Sequence, residues 1–166
     1  GIRSHGGDDV TLTTRLDFSF LATGSTTVGN DTAYDPLRKY LQYHWESGTG
    51  ANQANQLYRI TGTIGISTVT VIDLVSSIVL DTFGTALALT KLKALLIVNT
   101  HATQPFAVTT SISNGVSAPS VRPGGCVILT APDATGIAVS AGSDTITLTN
   151  GTGSTTAYEI AVIGVQ

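Results

Sequence analysis

The sequence contains few charged side chains. Only 11% of its 166 residues are Asp, Glu, Lys or Arg, and the 8 basic and 11 acidic residues give a formal net charge of -3, whereas soluble proteins usually carry about 25% charged residues. This balance offers no basic surface for a phosphate backbone or an anionic bilayer, so neither nucleic acid nor a membrane is expected as a partner. Thr, Ser, Asn and Gly must cover much of the surface, and such a composition favours strands and turns over long exposed helices.

Cysteine and histidine are also scarce. The single cysteine, Cys126, cannot close a disulfide within the chain. It precedes the apolar run Val127–Leu129, so we expect a small buried core thiol. The three histidines, His5, His44 and His101, are scattered and give no zinc-ligand spacing. No apolar run reaches the length of about 18 residues that spans a bilayer, and no signal-peptide pattern is present, so synthesis in the cytoplasm is expected.

Side chains in catalytic spacing are missing as well. The carboxylates after the first fifty residues are isolated from one another, and Asp73, Asp81 and Asp133 lie beside turn signals, where Asp normally caps backbone amides. A glycosidase pair or a calcium loop requires clustered carboxylates, and no histidine is placed as the base of a nucleophile. We therefore expect that the protein is not an enzyme and has no catalytic residues, no cofactor and no metal.

Short apolar and β-branched segments make up the chain from Leu57 onward. Turn signals such as Asn114-Gly115 and Asn150-Gly151 separate them. The predicted strands are Leu57–Ile64, Ser67–Val75, Ser77–Leu80, Ala94–Thr100, Phe106–Ser111, Cys126–Ala131, Ile137–Ala141, Thr145–Thr149 and Ala157–Val165. One short helix is predicted at Ala86–Lys93. Strands at this spacing, without long helices between them, indicate an all-β antiparallel sandwich or barrel.

The first fifty residues differ from the rest, since they hold six of the eleven acidic residues, half of the basic residues and the only tryptophan. We divide the chain into an N-terminal arm and extension, residues 1–50, and a sandwich module, residues 51–166. Within the extension we predict, in order, a mobile or partner-docked tail at Gly1–Asp9, a strand around Leu12–Phe20, a loop at Ala22–Asn30 and one or two helical turns at Asp35–Leu41. Pro36 suits the first helical position, and the loop Ser47–Asn55 marks the boundary.

Aromatic residues are concentrated near this boundary, at Tyr34, Tyr40, Tyr43, Trp45 and Tyr58. They are suited to stacking on a sugar, or to anchoring the extension or a subunit interface, where Tyr and Trp are enriched. The second interpretation is favoured because few amide side chains accompany them.

A further candidate interface residue is Arg122, the only basic residue in the last seventy. Its guanidinium can bind turn carbonyls or a neighbouring carboxylate. A solvated surface position is the equally simple alternative.

Several segments of strand and turn residues resemble a β-sandwich module of tailed-bacteriophage virion structural proteins, over roughly residues 70–166. The resemblance is carried by Phe83-Gly84-Thr85-Ala86-Leu87, Lys93-Ala94-Leu95, Asn99, Arg122-Pro123-Gly124-Gly125, Ala131-Pro132-Asp133-Ala134-Thr135-Gly136 and Tyr158-Glu159-Ile160-Ala161-Val162-Ile163-Gly164.

This resemblance implies a jelly-roll-like sandwich and a non-enzymatic capsid decoration, or cement, protein on the outer capsid surface. Its implied partners are the major capsid protein and two further copies of itself in a homotrimer. The alternative is a receptor- or carbohydrate-binding module of a head fibre or tail appendage. The candidate interface residues are Tyr34, Tyr40, Tyr43, Trp45 and Arg122.

Overall fold

The computed structural model describes residues 11–28, 31–76 and 78–166, and all of its regular elements are β-strands. The strands are β1 (Thr14–Val28), β2 (Asp31–Ser47), β3 (Gln53–Ala54), β4 (Gln56–Ile64), β5 (Val69–Asp73), β6 (Lys91–Asn99), β7 (Phe106–Thr110), β8 (Ser117–Val121), β9 (Cys126–Thr130), β10 (Ile137–Ala138), β11 (Thr145–Asn150) and β12 (Thr156–Val165). No helix able to cross a membrane occurs in these ranges. The predicted all-β sandwich is confirmed, and the predicted tail Gly1–Asp9 lies outside the described residues.

Strands β4 to β12 form two sheets, and four pairs of these strands are nested, with each pair lying inside the previous one along the chain. The first strand pairs with the last, β4 with β12, and the next pair inward is β5 with β11. Strand β6 then pairs with β9, and β7 with β8, all antiparallel. The larger sheet has five strands in the order β4-β12-β6, and β9 and β10 both pair with the edge of β6 opposite β12. The smaller sheet has four strands in the order β5-β11-β7-β8. This arrangement is jelly-roll-like.

The main core lies between the two sheets. Strands β11 and β12 alternate as the sequence predicts: Ile146 and Leu148 face Ile160 and Val162 across a cluster of apolar side chains. These four side chains are at most 1% exposed. Full burial of an aliphatic side chain of this size contributes about 1.5–3 kcal/mol, so the sandwich has an internal source of stability.

Strands β1 and β2 form a long antiparallel pair outside the sandwich, which we call the hairpin (Thr14–Val28 and Asp31–Ser47). Its antiparallel register runs unbroken from the pair Thr14 and Trp45 to the pair Val28 and Asp31. At about 3.4 Å per residue, β1 spans roughly 50 Å. The end of the hairpin at Thr14 and Trp45 lies beside the sandwich. From there the two strands continue toward solvent.

The junction between hairpin and sandwich is fixed by hydrogen bonds. Strand β3 pairs in parallel with the end of β2, the Asn52 amide donates to the carbonyl of Pro132 at 2.7 Å, and the Glu46 amide donates to the carbonyl of Asn52 at 3.0 Å. Lys93, on β6, is fully buried, and its Nζ donates to the carbonyl oxygens of Gly50 (3.2 Å) and Asp133. The base of the hairpin is therefore tied to the sandwich by both main-chain and side-chain contacts.

Two predictions in the extension were wrong. The segment Asp35–Leu41 is part of β2 and not a helix, and most of the predicted loop Ala22–Asn30 is strand, since β1 continues to Val28. Leu37, Leu41 and Tyr43 stand on one side of β2 with polar neighbours between them, and pairing with β1 satisfies the backbone of both segments. Long-range pairing outweighed the local helix signal of Pro36.

Two predictions in the module were also wrong. In place of the helix Ala86–Lys93, residues 86–90 form a connection without regular structure and residues 91–93 begin β6. The alternate residues Leu87 and Leu89 are buried, and the Gln56 side chain is bonded to the main chain of Ala86 and Ala88. In the segment Ser77–Leu80, of which Ser77 is not described, Leu80 forms only an isolated bridge. Strand β8 was missed because it contains Pro119, which is tolerated there on a sheet edge.

Candidate assembly interface

A second, smaller core anchors the hairpin to the sandwich. Its fully buried centre is Trp45, which packs with Leu12 and Ala54 against Ala94 and Ile163 of the larger sheet. Tyr43 stacks on Trp45 with ring centroids 5.8 Å apart. Ala94 and Ile163 are register partners and point away from the main core, so the hairpin base covers one end of the outer face of this sheet.

Beyond its base the hairpin is two-faced. Because paired residues of antiparallel strands point to the same side, the register of residues 16–22 with residues 37–43 places a mostly apolar series on the side of Trp45. We call this side the apolar face, and it consists of Leu16, Phe18, Phe20, Ala22, Leu37, Leu41 and Tyr43, with Lys39 as its only charged member. Leu16 and Tyr43 pack on the second core, but Phe18, Phe20 and Leu37 are 39%, 48% and 58% exposed. The apolar face thus starts in a core and ends in solvent.

The opposite face of the hairpin carries a polar network. Arg15 Nε lies 2.7 Å from Asp17 Oδ2, and the other carboxylate oxygen of Asp17 accepts hydrogen bonds from Tyr40 Oη (3.0 Å) and Gln42 Nε2 (2.9 Å). The hydrogen bond from Arg15 and then that from Gln42 lower the pKa of Asp17 below its ordinary value of 3.8. Leu21 is the one apolar residue of this face among Arg15–Leu21, and it is 62% exposed.

The larger sheet has a matching uncovered surface, which we call the outer sheet face. The register of β9, β6 and β12 places Ile128, Leu96 and Ala161 in the row next to Ala94 and Ile163, and Cys126, Val98 and Glu159 in the row after it. Leu96, Val98 and Ile128 are half-buried, and Cys126 is exposed. The expected buried core thiol was therefore wrong: Val127 and Leu129 point to the main core, which directs Cys126 outward.

The structure separates the predicted interface residues. Trp45 and Tyr43 lie at the hairpin base, whereas Tyr40 is exposed on the polar face. Tyr34 pairs with Ser25 in the ladder, and its side chain lies outside the described residues. Arg122 follows β8 as an exposed residue whose carbonyl accepts the Gly125 amide at 2.8 Å, far along the chain from the hairpin; its interface role stays a prediction.

A groove of about 560 Å³ lies where the hairpin base meets the loops of the sandwich. Of the predicted aromatic residues whose side chains the structure describes, Tyr43 lines it, together with the polar side chains Gln42, His44, Glu46 and Gln53. Trp45 is covered and Tyr58 belongs to the main core, so neither offers a ring to a ligand.

Side chains for other chemistry are sparse in the described part of the chain. No three His, Cys, Asp or Glu side chains there come close enough to hold a metal ion. Burial lowers the pKa of Lys93, and its ammonium donates to two main-chain carbonyls of the junction. Its position suits a structural role.

Comparison with known proteins adds no relative: no protein-family model, curated protein or solved structure matches the chain.

Proposed function

We propose that this protein is a non-enzymatic structural component of a tailed-bacteriophage virion, made in the host cytoplasm, that binds the outer capsid surface as a decoration protein. The observation that carries the proposal is the uncovered apolar face of the hairpin, with Phe18, Phe20 and Leu37 about half exposed. A two-stranded hairpin is only marginally stable by itself in water, and contiguous exposed apolar surface marks sites of protein interaction. The hairpin is therefore suited to being covered by another subunit.

The virion as the place of action rests on the sequence resemblance, and the fold is compatible with it. A jelly-roll-like sandwich hosts many functions, so it supports the proposal only together with the hairpin. Low surface charge also favours the role, because copies packed side by side repel one another little. In this proposal the major capsid protein and further copies of the chain, as a homotrimer, are the partners.

The mechanism is adhesion without turnover. Specific interfaces typically remove about 1,200–2,000 Å² from water, and each decorating subunit adds such contacts between neighbouring capsid subunits. Many weak contacts together raise the barrier to shell rupture. The expected consequence is a particle that keeps its genome to a higher temperature.

Reconstitution of stripped particles tests this role. Particles without the protein are mixed with wild-type, Leu37→Ser or Leu21→Ser protein and heated while genome release is followed. Leu37 and Leu21 have nearly equal exposure, 58% and 62%, but lie on opposite faces of the hairpin. Wild-type and Leu21→Ser protein are expected to bind and to raise the release temperature, and Leu37→Ser to do so less. Equal release temperatures for stripped and wild-type particles would contradict the cementing role.

A second candidate function is receptor or carbohydrate binding by a virion appendage. It is favoured by the junction groove, where Tyr43 offers part of a ring beside Gln42, Gln53 and Glu46. A glycan array probed with wild-type and His44→Ala protein tests it, since His44 lines the groove and is exposed. Glycan binding that the substitution weakens, with only a few copies of the protein per particle, supports this candidate over decoration.

A further inference from the structure

We propose that the apolar face of the hairpin packs on the outer sheet face of a second copy of this chain. This deepens the proposed function and rests on its view of the hairpin as an assembly element, but it does not depend on the virion. Each chain carries one such hairpin and one such sheet face. If the hairpin of each copy packs on the sheet face of the next copy, an arrangement that we call the exchange, both surfaces are covered in every subunit of a closed ring.

The two surfaces have the same chemistry and adjoin one another. In the chain itself, the hairpin base already lies on the row of Ala94 and Ile163 through Trp45. The next rows of the same sheet, around Leu96, Val98 and Ile128, present aliphatic side chains of the kind that the hairpin base covers. The proposed contact continues the second core with residues of another copy.

The chain's own hairpin does not cover these rows. Its outer residues Phe18, Phe20 and Leu37 remain exposed and are absent from both apolar clusters. The ladder between β1 and β2 has no register shift, so no bulge is present at which the hairpin would bend back over its own sheet. A second copy is the simplest source of a surface with the required composition.

The shapes and charges also agree. The hairpin is two strands wide, as are the neighbouring strands β6 and β9 that carry most of the apolar rows, and packed sheets stand about 10 Å apart. Among residues 16–22 and 37–43, the charged residue on the apolar face is Lys39, and the outer sheet face carries Glu159 at its margin. Glu159 is bound to Arg59 at 2.6 Å, so the pair forms a polar rim beside the apolar rows.

Cys126 provides the test, because the sole cysteine lies exposed on the outer sheet face. Two matched pairs of variants place a new thiol on neighbouring hairpin positions of opposite faces: Phe20→Cys against Ser19→Cys, and Ala22→Cys against Thr23→Cys. The purified full-length proteins are oxidised mildly and run on denaturing gels without reductant. We expect disulfide-linked multimers several-fold more abundant for Phe20→Cys or Ala22→Cys than for their partners, and their loss when Cys126→Ser is added.

Equal cross-linking from both faces, cross-linking that survives Cys126→Ser, or a disulfide formed only within one chain would overturn the inference. Ala22→Cys guards against loss of the contact through removal of the Phe20 ring. Particle binding is measured in parallel with the same proteins. Cross-linking between copies without particle binding would contradict the virion role alone, and particle binding without cross-linking from the apolar face would contradict the exchange alone.

Discussion

The sandwich and the hairpin use the same period-two pattern, with opposite outcomes for their apolar side chains. In β12, Tyr158, Ile160 and Val162 point to one side and are at most 4% exposed. In the hairpin, Phe18, Phe20 and Leu37 also share one side, yet they are 39–58% exposed. The alternation fixes which side chains share a face, whereas burial needs a second layer. For the hairpin, we propose that another subunit supplies that layer.

The largest effect on stability is expected at Trp45, where the hairpin meets the sandwich. Trp45→Ala removes the centre of the second core and should lower the free energy of unfolding by about 3–5 kcal/mol, measured by chemical denaturation. Trp45→Phe keeps most of the packing and removes an indole N–H that has no hydrogen-bond partner among the described residues, so it should cost much less. Equal losses for the two variants would contradict the anchoring role of the ring.

Two alanine substitutions compare the stability of the two regions directly. Ile160→Ala, in the main core, should cost about 2–5 kcal/mol. Phe20→Ala, on the hairpin, should change the stability of the dilute monomer by less than about 0.5 kcal/mol, as at other exposed positions. Denaturation curves at low protein concentration check both. A large loss for Phe20→Ala in the monomer would mean that its own chain covers the hairpin.

A smaller effect is expected at the junction. Lys93→Met removes the donor to the carbonyls of Gly50 and Asp133, and leaving acceptors unpaired costs about 1–3 kcal/mol. Limited proteolysis should then cut the segment 48–52 faster. Lys91→Met is the matched control, since Lys91 donates to Ala134 at 3.1 Å from a more exposed position. The account fails at this point if Lys91→Met loosens the junction as much as Lys93→Met.

The smallest expected effect is on the stability of the protein at low pH. The Asp133 carboxylate accepts the Gly136 amide at 2.8 Å, and this hydrogen bond is the main cause that lowers the pKa of Asp133 below 3.8. The folded state holds this proton less tightly than the unfolded state, so the stabilisation is present above pH 3.8 and is lost as the pH falls through the folded pKa. Asp133→Asn, which keeps the acceptor but does not titrate, should flatten the acid limb of the stability curve. An unchanged limb would show that other carboxylates dominate it.

Much of the sandwich was predictable from the sequence because its strands are short and alternate clearly. Ile146 and Leu148 alternate with threonines, Ile160 and Val162 are separated by Ala161, and turn signals bound both strands. Ala86–Lys93 failed because the short apolar spacing fits a helix locally, whereas burial of alternate leucines and the bonds to Gln56 require an extended chain. Bonding partners thirty or more residues away are not visible in a local pattern.

The candidate interface was only partly within reach. The predicted aromatic set contained Trp45 and Tyr43, which the structure places at the hairpin base, and their interface role stays a prediction. Phe18 and Phe20 alternate with polar neighbours, which indicates an apolar face, but the helix prediction at Asp35–Leu41 hid the part of that face on β2. The outward direction of Cys126 was not predictable, because a continuous apolar run does not tell which residues face the core. Lys93 was missed since its acceptors come from two distant loops.

The central claim is that the apolar face of the hairpin is buried between copies of the chain. Sedimentation equilibrium of the purified protein tests it most directly, with Leu37→Ser and its opposite-face control Leu21→Ser. The account predicts that wild-type and Leu21→Ser protein have a mass of at least twice 17.1 kDa. It predicts that Leu37→Ser shifts toward the monomer while the sandwich melts at an unchanged temperature. A wild-type protein that is monomeric at every concentration, or a Leu37→Ser protein that assembles as tightly as Leu21→Ser, would contradict it.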